Sequence, residues 1–305
     1  MMSATITGIF NILATPFDAE RQLDLPSLRR LIEFQLDRGA YGLTILGVLG
    51  EAAKLSVDER RLVMDTVMET VNGRVPVVVG VSHQDTATCI ALGQAAFAAG
   101  ADGMMIAPPY LDDPSPERVL ALYSQIAEAV NGPIVVQDYP VVTNVVLSPD
   151  LLATLAERIP HVRYLKMEDP PLMTKIRAIR ARTDRLAIFG GLGGMFLLEE
   201  LQAGAAGTMT GFAFTEILVA TYRAFSQGRL AEAERIFDRY LPLIRFENQP
   251  QINLSIRKEL LYRRGAIACP VLRDPYVPID AGTHQEIDWI LRRVGISDPT
   301  QPLTF

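Results

Sequence analysis

Thiols are scarce in this chain: its 305 residues hold only Cys89 and Cys269, far apart and without metal-ligand spacing. That excludes a disulfide framework and gives no sign of a zinc site. Both read as buried thiols in a reducing compartment, so a cytoplasmic location is expected. Long apolar runs are missing as well, none approaching the roughly 18 residues of a membrane span, and Met1 to Phe10 has no basic region leading into an apolar segment. No long basic run exists and the formal net charge is −6, so the clustered Lys and Arg that nucleic acid or anionic lipid requires are not there. A small molecule is the expected partner, with no nucleic acid and no membrane. No Gly-x-Gly-x-x-Gly follows the first apolar run, and no motif calls for a metal, nucleotide or flavin, so no cofactor is expected. What is present is a chain 49% hydrophobic and 21% charged, the balance of a protein with a large packed core.

From Ile6 to about Gln227, short apolar runs rich in β-branched residues alternate with longer amphipathic stretches, the rhythm of βαβ units. Strands are expected at Gly8-Leu13, Gly42-Leu46, Val75-Val79, Gly103-Ala107, Ile134-Gln137, Tyr164-Lys166, Ala187-Phe189 and Gly207-Thr210. Helices are expected between them, their apolar residues recurring at three and four as in Leu28, Leu31 and Ile32. Gly39, Gly100 and Gly204 each close a helix before the next strand. Eight such units in about 228 residues predict an α/β fold, a (β/α)8 TIM barrel, with an open doubly wound sheet as the second architecture. Beyond Gly228 only helices are expected, near Leu230-Leu243, Ile252-Arg264 and Thr283-Val294. Residues 229–305 therefore read as a C-terminal helical extension packed on a barrel of residues 1–228.

Reactive groups in such barrels lie at C-terminal strand ends and in the loops that follow. The lysines are Lys54, Lys166, Lys175 and Lys258, and three of them sit in polar or helical settings that suit a solvated surface. Lys166 alone ends an apolar strand, Val162 to Met167. Partial desolvation there favours a neutral amine able to attack a carbonyl. A lysine merely paired with Glu168 or Asp169 is the competing reading, and position alone weighs the two evenly. The second constellation is Gly47-Val48-Leu49-Gly50-Glu51 after the second strand, whose glycines let backbone N–H groups converge on a carboxylate. Taken alone, such a loop is usually just a tight turn. Pro108-Pro109-Tyr110 after strand four and Gln137-Asp138-Tyr139-Pro140 after strand five are the third and fourth.

Through these residues the chain resembles the dihydrodipicolinate synthase and N-acetylneuraminate lyase superfamily, from Gly8-Ile9-Phe10 and Ala14-Thr15-Pro16-Phe17 to about Arg264. The matching features include the loop Gly47-Glu51, Gly73-Arg74-Val75-Pro76-Val77, Gly100-Ala101-Asp102-Gly103, Pro109-Tyr110, Pro140 and the strand-six lysine. The resemblance implies a class I lyase in which Lys166 forms a Schiff base with a 2-keto acid whose carboxylate lies on the backbone of Gly47, Val48 and Leu49. It also implies a homotetramer, a dimer of dimers, with Tyr110 reaching across a subunit interface. Three departures stand out. Val48 and Leu49 replace the family's hydroxyl residues, Gln137 replaces its proton-shuttling tyrosine, and Val141 and Val142 occupy the place of a synthase-type arginine.

Within the superfamily the chain is more similar to the sugar-acid dehydratases, especially those acting on 2-keto-3-deoxy-L-arabonate. Val136-Gln137-Asp138, Val81-Ser82-His83, Met209-Thr210-Gly211 and Leu241-Pro242-Leu243-Ile244 with Glu247-Asn248 carry that likeness. An iminium at C2 acidifies C3, and the enamine formed by proton loss expels the C4 hydroxyl, a step that tolerates glutamine in place of tyrosine. His83, Tyr110 and Glu168 are the candidate proton carriers, histidine because its ordinary titration falls near neutral pH. Each has a structural alternative: a lone histidine is about as often simply buried and paired. Gln137, Asp138 and Thr210 are candidates to hydrogen-bond substrate hydroxyls, or equally to satisfy backbone groups at strand ends. The competing activities are a pyruvate-dependent aldolase, a dihydrodipicolinate synthase-like condensation, or a deaminase or hydratase of a cyclic imine acid. From another class comes a non-catalytic keto-acid-binding regulator, against which stands the cost of keeping a lysine in an apolar strand without using it.

Overall fold

The computed structural model describes residues 6–305. Its strands are β1 (Gly8–Ile12), β2 (Gly42–Ile45), β3 (Val77–Gly80), β4 (Gly103–Ile106), β5 (Ile134–Asp138), β6 (Val162–Met167), β7 (Ala187–Gly190) and β8 (Gly207–Thr210). All pair in parallel, and β8 returns to β1 to close the barrel, which excludes the open sheet. Strand β3 starts two residues later than expected, at Val77, because Pro76 has no N–H to give a ladder; its carbonyl still accepts from Leu43. Strand β6 runs longer at both ends than its apolar core suggested.

The helices are α1 (Leu25–Asp37), α2 (Val57–Val71), α3 (Thr86–Ala98), α4 (Pro116–Ala129), α5 (Pro140–Thr143), α6 (Pro149–Arg158), α7 (Leu172–Arg180), α8 (Leu197–Gln202), α9 (Thr215–Ser226), α10 (Leu230–Glu247), α11 (Asn253–Arg263) and α12 (Ala281–Arg293). Their starts follow from side-chain caps: Asp24, Asp85, Ser115 and Ser148 each accept an orphan N–H, and Ser56 forms a full capping box with Glu59. Their ends turn at Gly100 and Gly204, where φ is +97° and +98°, a conformation that an L side chain would strain. The single turn α5 was not foreseen; Pro140 opens it with a preset φ. Helix α10 continues one turn past its expected end with Pro242 inside it.

Inward side chains from alternating strand positions fill the lower barrel, among them Phe10, Val78, Met105, Val135, Tyr164 and Phe189. Phe10 meets Phe189 edge to face at 5.9 Å, and the Tyr164 hydroxyl accepts from Ile6 N–H at 3.4 Å. This plug closes the N-terminal end, so any ligand space opens upward, at the strands' C-terminal ends. A second apolar layer joins the strands' outer faces to the helices and takes in Ile244, Ile256 and Leu260 of the C-terminal helices. Helix α10 lies along α9, and the segment after α10 passes over the barrel mouth.

Candidate active site

A cavity of about 820 Å³ opens above the plug, floored by β5, β6, β7 and β8 and walled by the loop after β2 and the turn after α10. Strand alternation decides which side chains reach it. Tyr164 and Lys166 share one face of β6, Glu168 follows one residue beyond its end, and Gln137 stands in register opposite Lys166 on β5. Lys166 is 5% exposed, and its Nζ lies 3.1 Å from Oε2 of Glu168. The same carboxylate oxygen accepts from Nε2 of Gln137 at 2.9 Å. The geometry meets a condition of each reading: Lys166 is paired with Glu168, and it also lines the cavity.

Glu168 is fixed from behind. Its backbone N–H donates to the Asp138 carbonyl at 2.9 Å, and its side chain lies flat on Gly191, where a Cβ would come within 2.3 Å of Cγ. Only glycine permits that approach. Tyr139, two residues after Gln137 and given no role from the sequence, is half-buried in the same cavity wall. Burial pushes its hydroxyl above the ordinary tyrosine range, and the Glu168 charge adds to the rise. The period of two that places Gln137 inward was the signal that could have found it.

The loop after β2 closes as a 3-10 turn, Val48–Gly50, with Gly50 N–H donating to the Gly47 carbonyl at 3.0 Å. The leading N–H groups of such a turn have no partner inside it, and Val48 and Leu49 face the cavity. Gly47 sits behind them and is not in the lining. Beneath the turn Glu51, in the left-handed region at φ +54° and 3% exposed, gathers three donors: Lys54 Nζ at 3.0 Å, Lys258 Nζ at 2.7 Å and Arg273 N–H at 3.1 Å. Thr15 Oγ1 adds a bond to the Gly50 carbonyl at 2.6 Å.

That network corrects the expectation that lysines other than Lys166 lie on the surface. Lys258 is fully buried, and burial lowers its ammonium to about 8 against the opposing pull of Glu51. Lys175 is 7% exposed and bridges Asp138 at 2.6 Å and Asp169 at 2.7 Å. Sequence pattern places these residues on helices but does not reveal that the helices' buried faces carry carboxylate partners. Cys269 is likewise half-buried where a buried thiol was expected; Cys89 is buried.

Of the other expected site residues, Thr210 lines the cavity from β8. Asp138 does not: one position after Gln137, it points to the opposite face, outside the barrel bore, toward Lys175 on α7. Burial lifts its carboxyl to about 6, with Lys175 pulling the other way. His83 is exposed and outside the lining, and its Nδ1 accepts the Asp85 N–H at 3.0 Å beside the cap of α3. Tyr110 is 56% exposed and also outside it. Another wall is built by Arg245 from α10, Asn248 and Gln249 from the turn after it, and Asn253 from α11; of these the sequence reading names only Asn248, as a point of likeness and without a role in the site. Among the described residues no cluster of His, Cys, Asp and Glu could hold a metal ion, and no helix is long and apolar enough to cross a membrane.

A closed (β/α)8 barrel with a buried lysine and a carboxylate at its C-terminal mouth defines a lyase of the Schiff-base-forming type. Residues 5–294 match the dihydrodipicolinate synthetase family, and the chain belongs to that family. It is 35% identical over 292 residues to an L-2-keto-3-deoxyarabonate dehydratase of Azospirillum brasilense, covering 94% of each chain. It is 33% identical to a 4-hydroxy-tetrahydrodipicolinate synthase of Salinibacter ruber over 60% of this chain and 61% of that one. Among solved structures, a dihydrodipicolinate synthase from Rhodopseudomonas palustris superposes with a TM-score of 0.90 at 34% identity, covering 94% of this chain and 97% of that one.

Proposed function

We propose that the protein dehydrates a 2-keto-3-deoxy sugar acid through a Schiff base on Lys166. The observation that carries this reading is the Gln137–Glu168–Lys166 cluster on the cavity floor, with a carboxylate 3.1 Å from the amine and an amide where a tyrosine-based relay would need a hydroxyl. Lys166 attacks C2 of the keto acid, water leaves, and an iminium forms whose positive charge draws electrons from C3. Glu168 takes the C3 proton, giving an enamine. The enamine then breaks the C4–O bond, and the proton held on Glu168 leaves with the departing oxygen as water. Hydrolysis of the unsaturated iminium frees Lys166 and a keto acid lighter by one water.

In this reading the Val48 and Leu49 amides hold the C1 carboxylate, Gln137 and Thr210 orient the substrate, and no metal or organic cofactor takes part because the iminium is itself the electron sink. Asp138 serves by holding Lys175 and the β5–β6 ends, His83 stays outside the chemistry, and the exposed Tyr110 packs against a second subunit of a homotetramer. A cytoplasmic setting fits the two free thiols.

The test is intact-protein mass after borohydride treatment with pyruvate and with a 2-keto-3-deoxypentonate, on wild type and Lys166→Ala. Wild type should gain one covalent adduct and the variant none. With the sugar acid, an adduct of the dehydrated carbon chain supports the dehydratase, whereas a pyruvate-mass adduct would turn the assignment to an aldolase. No adduct with either acid would leave a binding protein and remove Lys166 as nucleophile.

A further inference from the structure

We infer that the same cavity holds a second anion subsite, at Arg245, which takes an acidic group at the far end of the substrate; this rests on the Schiff-base reading above. Three cations line the cavity: Lys54, Lys166 and Arg245. Lys54 is engaged by Glu51 at 3.0 Å and by the Arg273 carbonyl at 2.6 Å, and Lys166 by Glu168 at 3.1 Å. Arg245 is solvent-exposed where it lines the cavity, and it has neither an ion-pair nor a hydrogen-bond partner among the described residues. It comes from the last turn of α10, whereas Gln137 and Lys166 come from β5 and β6.

The wall around it is neutral and amide-rich. Asn248 donates to the Leu192 carbonyl at 3.2 Å and is pressed on Gly193, where a Cβ would come within 2.4 Å of its Cγ, so this side chain is fixed. Gln249, Gln251 and Asn253 continue the wall. Amides suit hydroxyl groups, and a planar guanidinium fork suits a carboxylate or phosphate that presents two oxygens. At about 820 Å³ the cavity lies in the upper part of the range for small-molecule pockets, with room for a polyhydroxy chain between the two ends. The substrate class is therefore a 2-keto-3-deoxy acid with a second acid terminus, dicarboxylic or phosphorylated. Charge near a helix C-terminus would favour any cation at this position, and Arg245→Lys keeps that effect while removing the fork.

The experiment compares wild type, Arg245→Gln and Arg245→Lys on three 2-keto-3-deoxy acids of equal length, ending in hydroxymethyl, carboxylate or phosphate, with borohydride trapping of pyruvate alongside. Wild type should favour an acid-ended substrate, and Arg245→Gln should raise its KM by roughly 10- to 100-fold, the loss of one charge-assisted contact. Arg245→Lys should fall between, and the terminus showing the effect identifies the anion. Equal losses on the hydroxymethyl acid, or no wild-type preference for either acid end, would overturn the subsite. Loss of pyruvate trapping in Arg245→Gln alone would also overturn it, by moving Arg245 to the C1 carboxylate. Failure of wild type to trap pyruvate would instead sink the Schiff-base reading.

Discussion

Glu168→Gln is expected to lower kcat by about 10²- to 10⁴-fold, the range lost with a positioned general acid–base group, while the protein still forms a reducible imine with pyruvate. The amide keeps the volume that rests on Gly191 and still offers an oxygen to Gln137 Nε2, now 2.9 Å from the carboxylate. What it cannot do is carry a proton from C3 to the departing C4 oxygen. Steady-state rates and intact mass after borohydride separate the two steps. A loss of adduct would show that Glu168 acts on Lys166 itself, through their 3.1 Å contact. A change in kcat below about tenfold would pass the proton role to Tyr139, a titratable side chain lining the same cavity. Gly191→Ala should also depress kcat, because its Cβ would occupy the space of Glu168 Cγ.

The strands were legible because each is a short β-branched run closed by a helix whose apolar residues recur at three and four, and these local patterns survive folding. Lys166 was legible for a related reason: a single lysine ending an apolar run breaks a pattern. Asp138 was misassigned because naming a loop after a strand ignores the alternation that turns neighbours Gln137 and Asp138 to opposite faces. The same rule, applied strictly, would have kept Gln137, dropped Asp138 and found Tyr139. His83 stood at the right end of the barrel, yet the loop after β3 carries it outward to the cap of α3.

The remaining misses have no local signal. The Glu51–Lys258 pair joins residues 207 apart in sequence, and the Arg245 wall depends on how the turn after α10 lies over the mouth. Neither can be inferred without the tertiary arrangement.

Glu200 supplies a prediction about pH. On α8, it is 1% exposed, its Oε2 has no hydrogen-bond partner among the described residues, and the carboxyl packs on Gly190 while Glu168 packs on Gly191. Two carboxyl groups thus flank one dipeptide at the cavity floor. Burial, with the negative charges of Glu199 and Glu168 adding to it, raises Glu200 to about 8 from an ordinary 4.5. The folded protein therefore holds a proton that the unfolded chain releases, and this contribution to stability is full below pH 4.5, declines as pH rises, and is lost above about 8.

At about 1.4 kcal/mol per pH unit the loss is on the order of 5 kcal/mol. Glu200→Gln removes the ionisation, so its stability advantage over wild type in urea unfolding should be small at pH 4 and grow steadily to pH 8. A difference that does not vary with pH would mean that Glu200 finds a cation or water the buried geometry does not provide. Below pH 8 a neutral Glu200 also keeps a second negative charge away from Glu168 and Lys166. The same variant should therefore retain activity above pH 8, where wild type begins to place that charge behind the Glu168 carboxylate.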